Sequence, residues 1–202
     1  MLTYDINIIL ETTYTGKLRH NCEKNLIIIL LKHMAKNLVL LGMMGVGKST
    51  IGRKLAKKLN LKFFDTDQII EKKVQMKIID IFNLKGEKYF RKQEEIVVLD
   101  CLKNNNSLIA LGGGGFINIK IRTEVLNKAI SIWLDVDLET LSKRLNNNLK
   151  RPLLQRGNNK KMLLNIYKKR KSTYKLADFK VYCEKLNINQ IQKKIINFYE
   201  KK

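Results

Sequence analysis

From Asn37 to the C-terminus, short apolar runs alternate with longer stretches in which apolar residues recur at helical spacing. The short runs have the length of buried strands, and the longer stretches have the period of amphipathic helices. Because parallel strands need a helix-sized connection, this order predicts an α/β fold with a parallel sheet covered on both faces. The predicted strands, all or nearly all buried, are NLVLL (37–41), KFFD (62–65), SLIAL (107–111), ISIWL (130–134) and FKVY (179–182). The predicted helices are 48–59, a region from about 68 to 102 broken near Gly86, 138–145, 163–176 and 190–199.

The first 35 residues do not follow this alternation. We therefore expect an N-terminal extension (1–35) and a single domain (36–202). The extension contains Asp5 and Glu11 and lacks the arginines of a mitochondrial presequence. It also lacks the charged start and apolar segment of a secretory signal. Two explanations stay open, a dispensable segment with a second start at Met34, or a real docking segment.

The net charge of +22 first suggests a polyanionic partner such as nucleic acid or an acidic membrane surface. The excess, however, consists almost entirely of lysine, spread along the chain without a basic block or interleaved aromatic residues. Such a distribution is typical of solvated faces, so neither a nucleic-acid nor a membrane partner is expected. The few arginines become the informative cations.

Three cysteines, Cys22, Cys101 and Cys183, are far apart and form no CxxC or Cys/His group. An odd number without such spacing indicates neither a disulfide framework nor a zinc site and favours reduced thiols in a cytoplasmic protein. The longest apolar stretch, LIIILL at 26–31, is far shorter than a bilayer-spanning segment. A compact cytoplasmic domain is expected.

The segment GMMGVGKST (42–50) lies between a predicted strand and a predicted helix. Its glycines let consecutive backbone N–H groups point at phosphate oxygens, and the helix that follows presents its positive end to the same charge. Lys48 then reaches the β- and γ-phosphates, and Ser49 supplies a hydroxyl to Mg²⁺. The pattern predicts a nucleoside triphosphate as ligand. The chain is too short for a motor or helicase and lacks the Asn-Lys-x-Asp motif of GTPases, which leaves a compact phosphotransferase.

Two carboxylates, Asp65 and Asp67, follow the second predicted strand in DTDQIIE. At the carboxyl end of a strand they lie where open α/β sheets bind ligands. One can hold magnesium and the other can accept a hydrogen bond from an attacking hydroxyl. The alternative interpretation is that Asp-x-Asp merely starts a helix.

Further along, EKYFRKQEE places Arg91 three residues before Glu94 on one helix face. The pair is either a surface ion pair of little value or a fork for an acceptor carboxylate.

LIALGGGGF ends the third strand in Gly112–Gly115, which indicates a ligand directly against the backbone, although a loose turn is also possible. The polar segment 149–159 and Arg170 of YKKRKSTY are typical of a mobile cover and a second anion contact.

The ordered set GxxGxGKST, DTD, FRxxE, LGGG, RPLL and RxxxY resembles shikimate kinase from about Asn37 to the C-terminus. The resemblance implies a nucleoside-monophosphate-kinase-like P-loop fold in three layers, with a central five-stranded parallel sheet and a mobile lid at about 146–160. It implies transfer of the ATP γ-phosphoryl group to the 3-hydroxyl of shikimate in aromatic amino-acid biosynthesis. Mg²⁺ is the implied cofactor, shikimate and ATP the implied partners, and a monomer the expected state.

The resemblance also implies a role for each matching residue. Asp67 holds the acceptor hydroxyl, Lys48 and Arg151 stabilise the transferred phosphoryl group, and Ser49 and Asp65 place Mg²⁺, the latter through water. The implied shikimate-binding residues are Asp67, Arg91, Gly113, Gly114 and Arg170. The implied ATP-binding residues are Gly45, Val46, Gly47, Lys48, Ser49, Thr50, Arg144, which stacks on adenine, and Arg151.

Two departures from the family pattern stand out. Gly115 replaces a small residue that is often alanine, which predicts a looser loop, and YCEKLNINQ lacks the expected Asn-x-Pro-like turn, which leaves the adenine contacts less defined. A kinase for another hydroxy acid such as gluconate is the nearest rival. A nucleic-acid-binding ATPase and an inactive relative are the others, but retention of Lys48, Asp67, Arg91 and Arg170 argues against inactivity.

Overall fold

The computed structural model describes residues 36–146 and 159–202. Its five strands form one sheet in the order β2-β3-β1-β4-β5, and every neighbouring pair is parallel. The strands are β1 (Asn37–Leu41), β2 (Lys62–Asp65), β3 (Ser107–Ala110), β4 (Ala129–Asp135) and β5 (Phe179–Tyr182). The predicted α/β fold with a five-stranded parallel sheet is confirmed.

Helices connect the strands and cover both faces of the sheet. Consecutive side chains of β1 point to opposite faces, and Leu38, Val39, Leu40 and Leu41 are all fully buried, which requires a layer on each side. The helices are α1 (Lys48–Leu59), α2 (Thr66–Val74), α3 (Ile78–Cys101), α4 (Ile119–Lys128), α5 (Leu138–Asn146), α6 (Asn159–Tyr174) and α7 (Ile188–Tyr199), with a short 3₁₀ helix at Gly115–Ile117.

The prediction that all strands are nearly buried is wrong for the two outer ones. In β2, Lys62 is exposed and the two phenylalanines are half-buried, and in β5 Tyr182 is 67% exposed. The reason is topological, since β2 and β5 form the edges of the sheet and lack a neighbour on one side.

The predicted helical region 68–102 consists of two helices. Asp65 caps the first, so α2 begins at Thr66, earlier than predicted, and α2 ends where Gln75 adopts a left-handed conformation (φ 56°). Within α3, Gly86 has φ 79° and ψ 166°, so it divides the helix into two pieces at the predicted position. Glycine is suited to this conformation because it carries no Cβ.

Helix α4 is absent from the sequence predictions. Asn118 caps it by accepting from the backbone N–H groups of Lys120 and Ile121, and the helix buries Ile121 and Val125. The crossover from β3 to β4 therefore contains a helix, as the parallel pairing requires.

Two predicted segments lie outside the described residues. They are the N-terminal extension and most of the lid, including Arg151, and both assignments stay predictions. Across 36–146 and 159–202, no helix is long and apolar enough to cross a membrane.

Candidate active site

The segment between β1 and α1 forms a tight turn that ends in a helix N-terminus. A Cβ on Gly42 would collide with the carbonyl oxygen of Leu134, and Gly47, the residue before α1, has φ 96°. Lys48 is buried, and its Nζ donates to the carbonyl oxygens of Gly42 and Met43, both at 2.9 Å. The lysine ammonium is thereby held against the loop that precedes it.

A cleft of about 190 Å³ lies beside this loop and also reaches the ends of β2 and β3. It brings the residues that the sequence assigned to phosphate together with Asp67 of the predicted acceptor site. Its lining consists of Gly45, Gly47, Lys48, Ser49, Thr50, Asp65, Asp67, Ala110 and Leu111. Val46 lies in the same loop but is buried.

Asp65 and Asp67 occupy different positions at the start of α2. Asp65 is buried, and its Oδ1 accepts a hydrogen bond from the backbone N–H of Gln68 at 3.3 Å, so it caps the helix. Asp67 lies half-buried in the first turn. The capping interpretation is therefore correct for Asp65, and because Asp65 also lines the cleft, capping and ligand binding are compatible.

Thr66, between the two aspartates, fixes them relative to the next strand. Its hydroxyl donates to the carbonyl oxygen of Ala110 at 3.2 Å and accepts from the backbone N–H of Gly112 at 2.9 Å. The side chain is fully buried. Sequence reasoning missed this residue, which ties the start of α2 to the end of β3.

The four glycines lie against charged side chains of the protein itself. A Cβ on Gly112 would lie 2.5 Å from Glu94 Oε1 and 2.6 Å from Asp67 Oδ1, and one on Gly114 would lie 2.5 Å from Arg91 Nη1. At these distances a Cβ forces the neighbouring charged group to move. The sequence analysis explained the glycines by a ligand lying against the backbone. At Gly112 and Gly114 the nearby charged side chains of the protein are a sufficient reason for the absence of a Cβ.

Arg91 forms two ion pairs on α3. Its Nη1 lies 2.7 Å from Glu94 Oε2, and its Nη2 lies 3.0 Å from Glu87 Oε1. Because Glu94 is only 1% exposed, the interpretation of Arg91 and Glu94 as a surface ion pair is wrong. Burial raises the pKa of Glu94, while the charges of Arg91 and Arg170 act in the opposite direction.

Glu94 lies next to the predicted acceptor site without having been predicted as part of it. Its Oε1 is buried and has no hydrogen-bond partner among the described residues. The same oxygen and Asp67 Oδ1 both face Gly112. Its position three residues after Arg91 was the sequence signal that could have identified it. Its burial depends on its packing against the glycine run, which is distant in sequence.

Arg170 approaches the glycine run from α6. Its Nη1 donates to the carbonyl oxygen of Gly113 at 2.9 Å, and the buried Tyr174 hydroxyl donates to the same oxygen. Arg91 lies against the neighbouring Gly114. The two arginines, far apart in sequence, therefore contact consecutive residues of one loop.

Arg144 is exposed on α5, next to Leu145, whose side chain packs against Gly45 of the phosphate loop. Burial raises the pKa of the Cys183 thiol to about 11, and the positive charge of Arg144 acts against that rise. Arg144 therefore lies near the segment that follows β5, which the sequence assigned to the adenine.

A family model described as shikimate kinase matches residues 44–200. A shikimate kinase from Bartonella henselae is 43% identical over 159 residues, which is 79% of this chain and 76% of the relative. Among solved structures, shikimate kinase from Acinetobacter baumannii in complex with shikimate superposes with a TM-score of 0.81 at 29% identity, covering 85% of this chain and 97% of that one.

A gluconokinase from Sinorhizobium meliloti also superposes, with a TM-score of 0.54 over 83% of this chain and 93% of that one, but at 11% identity it shows the shared fold alone. It gives no support to gluconate as the acceptor. The family match, by contrast, includes the phosphate loop from Met44 onward, both aspartates, the glycine run and both arginines. The chain belongs to the shikimate kinase family, whose members transfer the γ-phosphoryl group of ATP to shikimate.

Proposed function

We propose that Asp67 orients the 3-hydroxyl of shikimate toward an ATP γ-phosphoryl group held by the phosphate loop. The observation that carries this proposal is the common cleft lined by Asp67 together with Lys48 and Ser49. A hydroxyl at Asp67 and a triphosphate on the loop meet there. Phosphoryl transfer has a loose transition state, so alignment and charge neutralisation matter more than a strong base.

The shikimate carboxylate binds between Arg91 and Arg170. Both guanidinium groups contact the glycine run, Arg91 at Gly114 and Arg170 at Gly113, and Asp67 reaches the same run at Gly112. A ring acid lying along this backbone can present its carboxylate to the arginines and a hydroxyl to Asp67. An acceptor without a carboxylate lacks the charge-assisted hydrogen bonds to the two guanidinium groups, which accounts for selectivity.

Magnesium fits the oxygen donors of the cleft. The Ser49 hydroxyl and the Asp65 carboxylate line it together, and Mg²⁺ prefers such hard oxygen ligands. The described part of the chain contains no group of three or more His, Cys, Asp or Glu side chains that could hold a metal, which suits an ion bound mainly through substrate phosphates. Ser49 and Asp65 would hold the ion, which when bound would neutralise phosphate charge.

On the nucleotide side, Lys48 moves from the loop carbonyls to the β- and γ-phosphates. Losing one such donor to the transition state typically costs about 2.7–4 kcal/mol. Gly45, Val46, Gly47 and Thr50 contribute loop and helix N–H groups, Arg144 stacks on the adenine, and Arg151 reaches the transferred group with the lid.

The same proposal describes a cytoplasmic monomer that binds neither nucleic acid nor membranes. The basis is the even spread of lysine, which the structure places on exposed helix faces such as Lys54, Lys57 and Lys58 of α1. Activity that DNA and RNA do not change is the expected behaviour. Stimulation by nucleic acid that disappears with salt contradicts it.

The central experiment measures ADP release with purified protein, ATP and Mg²⁺ over a panel of hydroxy acids. Shikimate should be phosphorylated and gluconate should not. Asp67→Asn should lower kcat by orders of magnitude with ATP binding nearly unchanged, and an active variant removes Asp67 from its role. Lys54→Met, an exposed change on α1, serves as control for purification and folding.

The carboxylate clamp has a separate test. Arg170→Lys keeps the charge but cannot reproduce the planar fork, so the KM for shikimate should rise far more than the KM for ATP. Equal effects on both KM values contradict the clamp without affecting the assignment of Asp67.

A further inference from the structure

A polar contact joins α6 to the sheet outside the site described above. The Tyr167 hydroxyl lies 3.2 Å from Oδ1 and 3.3 Å from Oδ2 of Asp135, the last residue of β4. Asp135 is 8% exposed and Tyr167 is half-buried, so the contact is largely shielded from water. None of the steps proposed above uses either side chain.

The Asp135 carboxylate is itself fixed from the edge strand. Lys180 Nζ lies 2.8 Å from Oδ2, and the same ammonium lies 4.0 Å from the ring centre of Trp133 and 3.9 Å from that of Tyr182. An ion pair and two cation–π contacts hold the lysine in one place. Asp135 therefore offers Tyr167 an acceptor at a defined position on the sheet.

Tyr167, Arg170 and Tyr174 lie on one face of α6, because positions i, i+3 and i+7 align along a helix. The two tyrosines contact different elements. Tyr167 donates to Asp135 at the end of β4, and Tyr174 donates to the carbonyl oxygen of Gly113 in the glycine run. The contacts of Tyr167 and Tyr174, on either side of Arg170, fix the position of α6 along its axis and its rotation about that axis.

We infer that Tyr167 and Asp135 are positioning residues for shikimate binding, because their hydrogen bond holds α6 where Arg170 reaches the substrate carboxylate. The inference rests on the proposed role of Arg170 in the clamp. Burial raises the pKa of Tyr167 to about 12, so its hydroxyl remains a donor at any pH used for assay. Neither residue touches the substrate in this account.

The first test is Tyr167→Phe, which removes one hydroxyl and keeps the ring. We expect the KM for shikimate to rise roughly two- to tenfold, as for one lost hydrogen bond, with the KM for ATP unchanged. The matched control is Tyr199→Phe, which removes a hydroxyl that donates to the Lys36 carbonyl oxygen at 2.8 Å, on α7. The control should lose comparable stability while keeping both KM values.

The second test combines Tyr167→Phe with Arg170→Lys. If Tyr167 acts only through Arg170, adding Tyr167→Phe to Arg170→Lys produces no further rise in the KM for shikimate. Asp135→Ala also removes the partner of Lys180, so it should raise the KM for shikimate at least as much as Tyr167→Phe does. Asp135→Asn, which keeps an acceptor oxygen for Tyr167, should restore most of the wild-type KM.

Each outcome decides between the two levels of the proposal. A selective KM effect of Arg170→Lys together with a wild-type KM for Tyr167→Phe overturns the positioning role and leaves the clamp intact. Fully independent effects in the double variant, or equal rises in both KM values for Tyr167→Phe, also overturn it. If Arg170→Lys itself lacks a selective effect, the clamp fails and the positioning role fails with it.

Discussion

Adding a methyl group at two neighbouring glycines should change two different properties, stability at Gly115 and shikimate binding at Gly114. At Gly115 the backbone lies outside the left-handed region, and a Cβ would lie 3.4 Å from Glu94 Oε1 and 3.8 Å from Leu111 Cβ, which are ordinary contact distances. Gly115→Ala therefore fits without displacement and restricts the unfolded chain, which stabilises a protein by about 0.4–1 kcal/mol. For a domain of this size the expected rise in Tm is roughly 1–4 °C.

At Gly114 the backbone also accepts alanine, since φ is −102° and ψ is −11°. The obstacle is Arg91, whose Nη1 would lie 2.5 Å from the new Cβ. A guanidinium group at the end of a flexible side chain can move aside, so we expect Gly114→Ala to fold. Arg91 then leaves the proposed carboxylate site, and because a hydrogen bond to a charged group contributes about 1.5–3 kcal/mol, the KM for shikimate should rise roughly tenfold or more.

Thermal unfolding and steady-state kinetics on both variants provide the test, with each serving as control for the other. Gly115→Ala should raise Tm and keep the KM for shikimate, and Gly114→Ala should raise that KM and keep the KM for ATP. A lower Tm for Gly115→Ala would refute the packing argument. An unchanged KM for shikimate in Gly114→Ala would refute the position of Arg91 in the site.

Three further predictions concern buried polar groups. Thr66→Val removes the hydroxyl that pairs with the Ala110 carbonyl and the Gly112 N–H, so it should lower the free energy of unfolding, measured in urea, by about 1–3 kcal/mol. Thr66→Ser keeps the hydroxyl and should be close to wild type. Equal stability of the two variants contradicts the bridging role. The raised pKa of Glu94 means that the folded state holds this proton more tightly than the unfolded state, so its contribution to stability is lost as pH rises above the usual value of 4.5. The free energy of unfolding of the wild type, measured in urea relative to that of Glu94→Gln, should therefore fall as the pH rises above 4.5. A difference between the two proteins that does not change with pH contradicts the raised pKa of Glu94. Burial raises the pKa of Cys101 and of Cys183 to about 11, so alkylation at pH 8, followed by peptide mass, should modify both thiols only on unfolding; rapid labelling of the native protein is the opposing result.

The sheet could be predicted from the sequence because its central strands are continuous apolar runs. A strand buried on both faces is rich in apolar side chains, and the runs at 37–41 and 130–134 are apolar except for Asn37 and Ser131, which are buried and hydrogen-bonded. The edge strands could not be distinguished, since KFFD and FKVY owe their partial exposure to their place in the strand order, which no local pattern encodes.

Helix α4 was missed for a related reason. Only Ile121 and Val125 are buried along its ten residues, and the exposed Ile119 and Leu126 obscure the helical periodicity of the apolar positions. Its cap, Asn118, directly follows the glycine run, where a turn was the obvious interpretation.

The chemistry-bearing residues of the site were predictable, and the residues that hold them were not. Lys48, Asp67, Arg91 and Arg170 belong to motifs of characteristic spacing, whereas Thr66 acts through a hydrogen bond to Gly112 far along the chain. A buried threonine next to two aspartates has no distinctive local pattern. The role of such a supporting residue can be recognised only from its contacts in the folded structure.

The interruption of α3 at Gly86 has a consequence for how this chain tolerates change. In an unbroken helix each inserted residue turns everything beyond it by about 100°. Here the segment after the break takes its orientation from its own anchors, Phe90, Val97 and Val98, which lie in the core. Changes at the exposed positions of residues 78–85 are therefore expected to leave Arg91 in place. Ile81, which is fully buried, and Phe82, whose ring centre lies 4.8 Å from that of Phe90, are the positions in this segment that the core constrains.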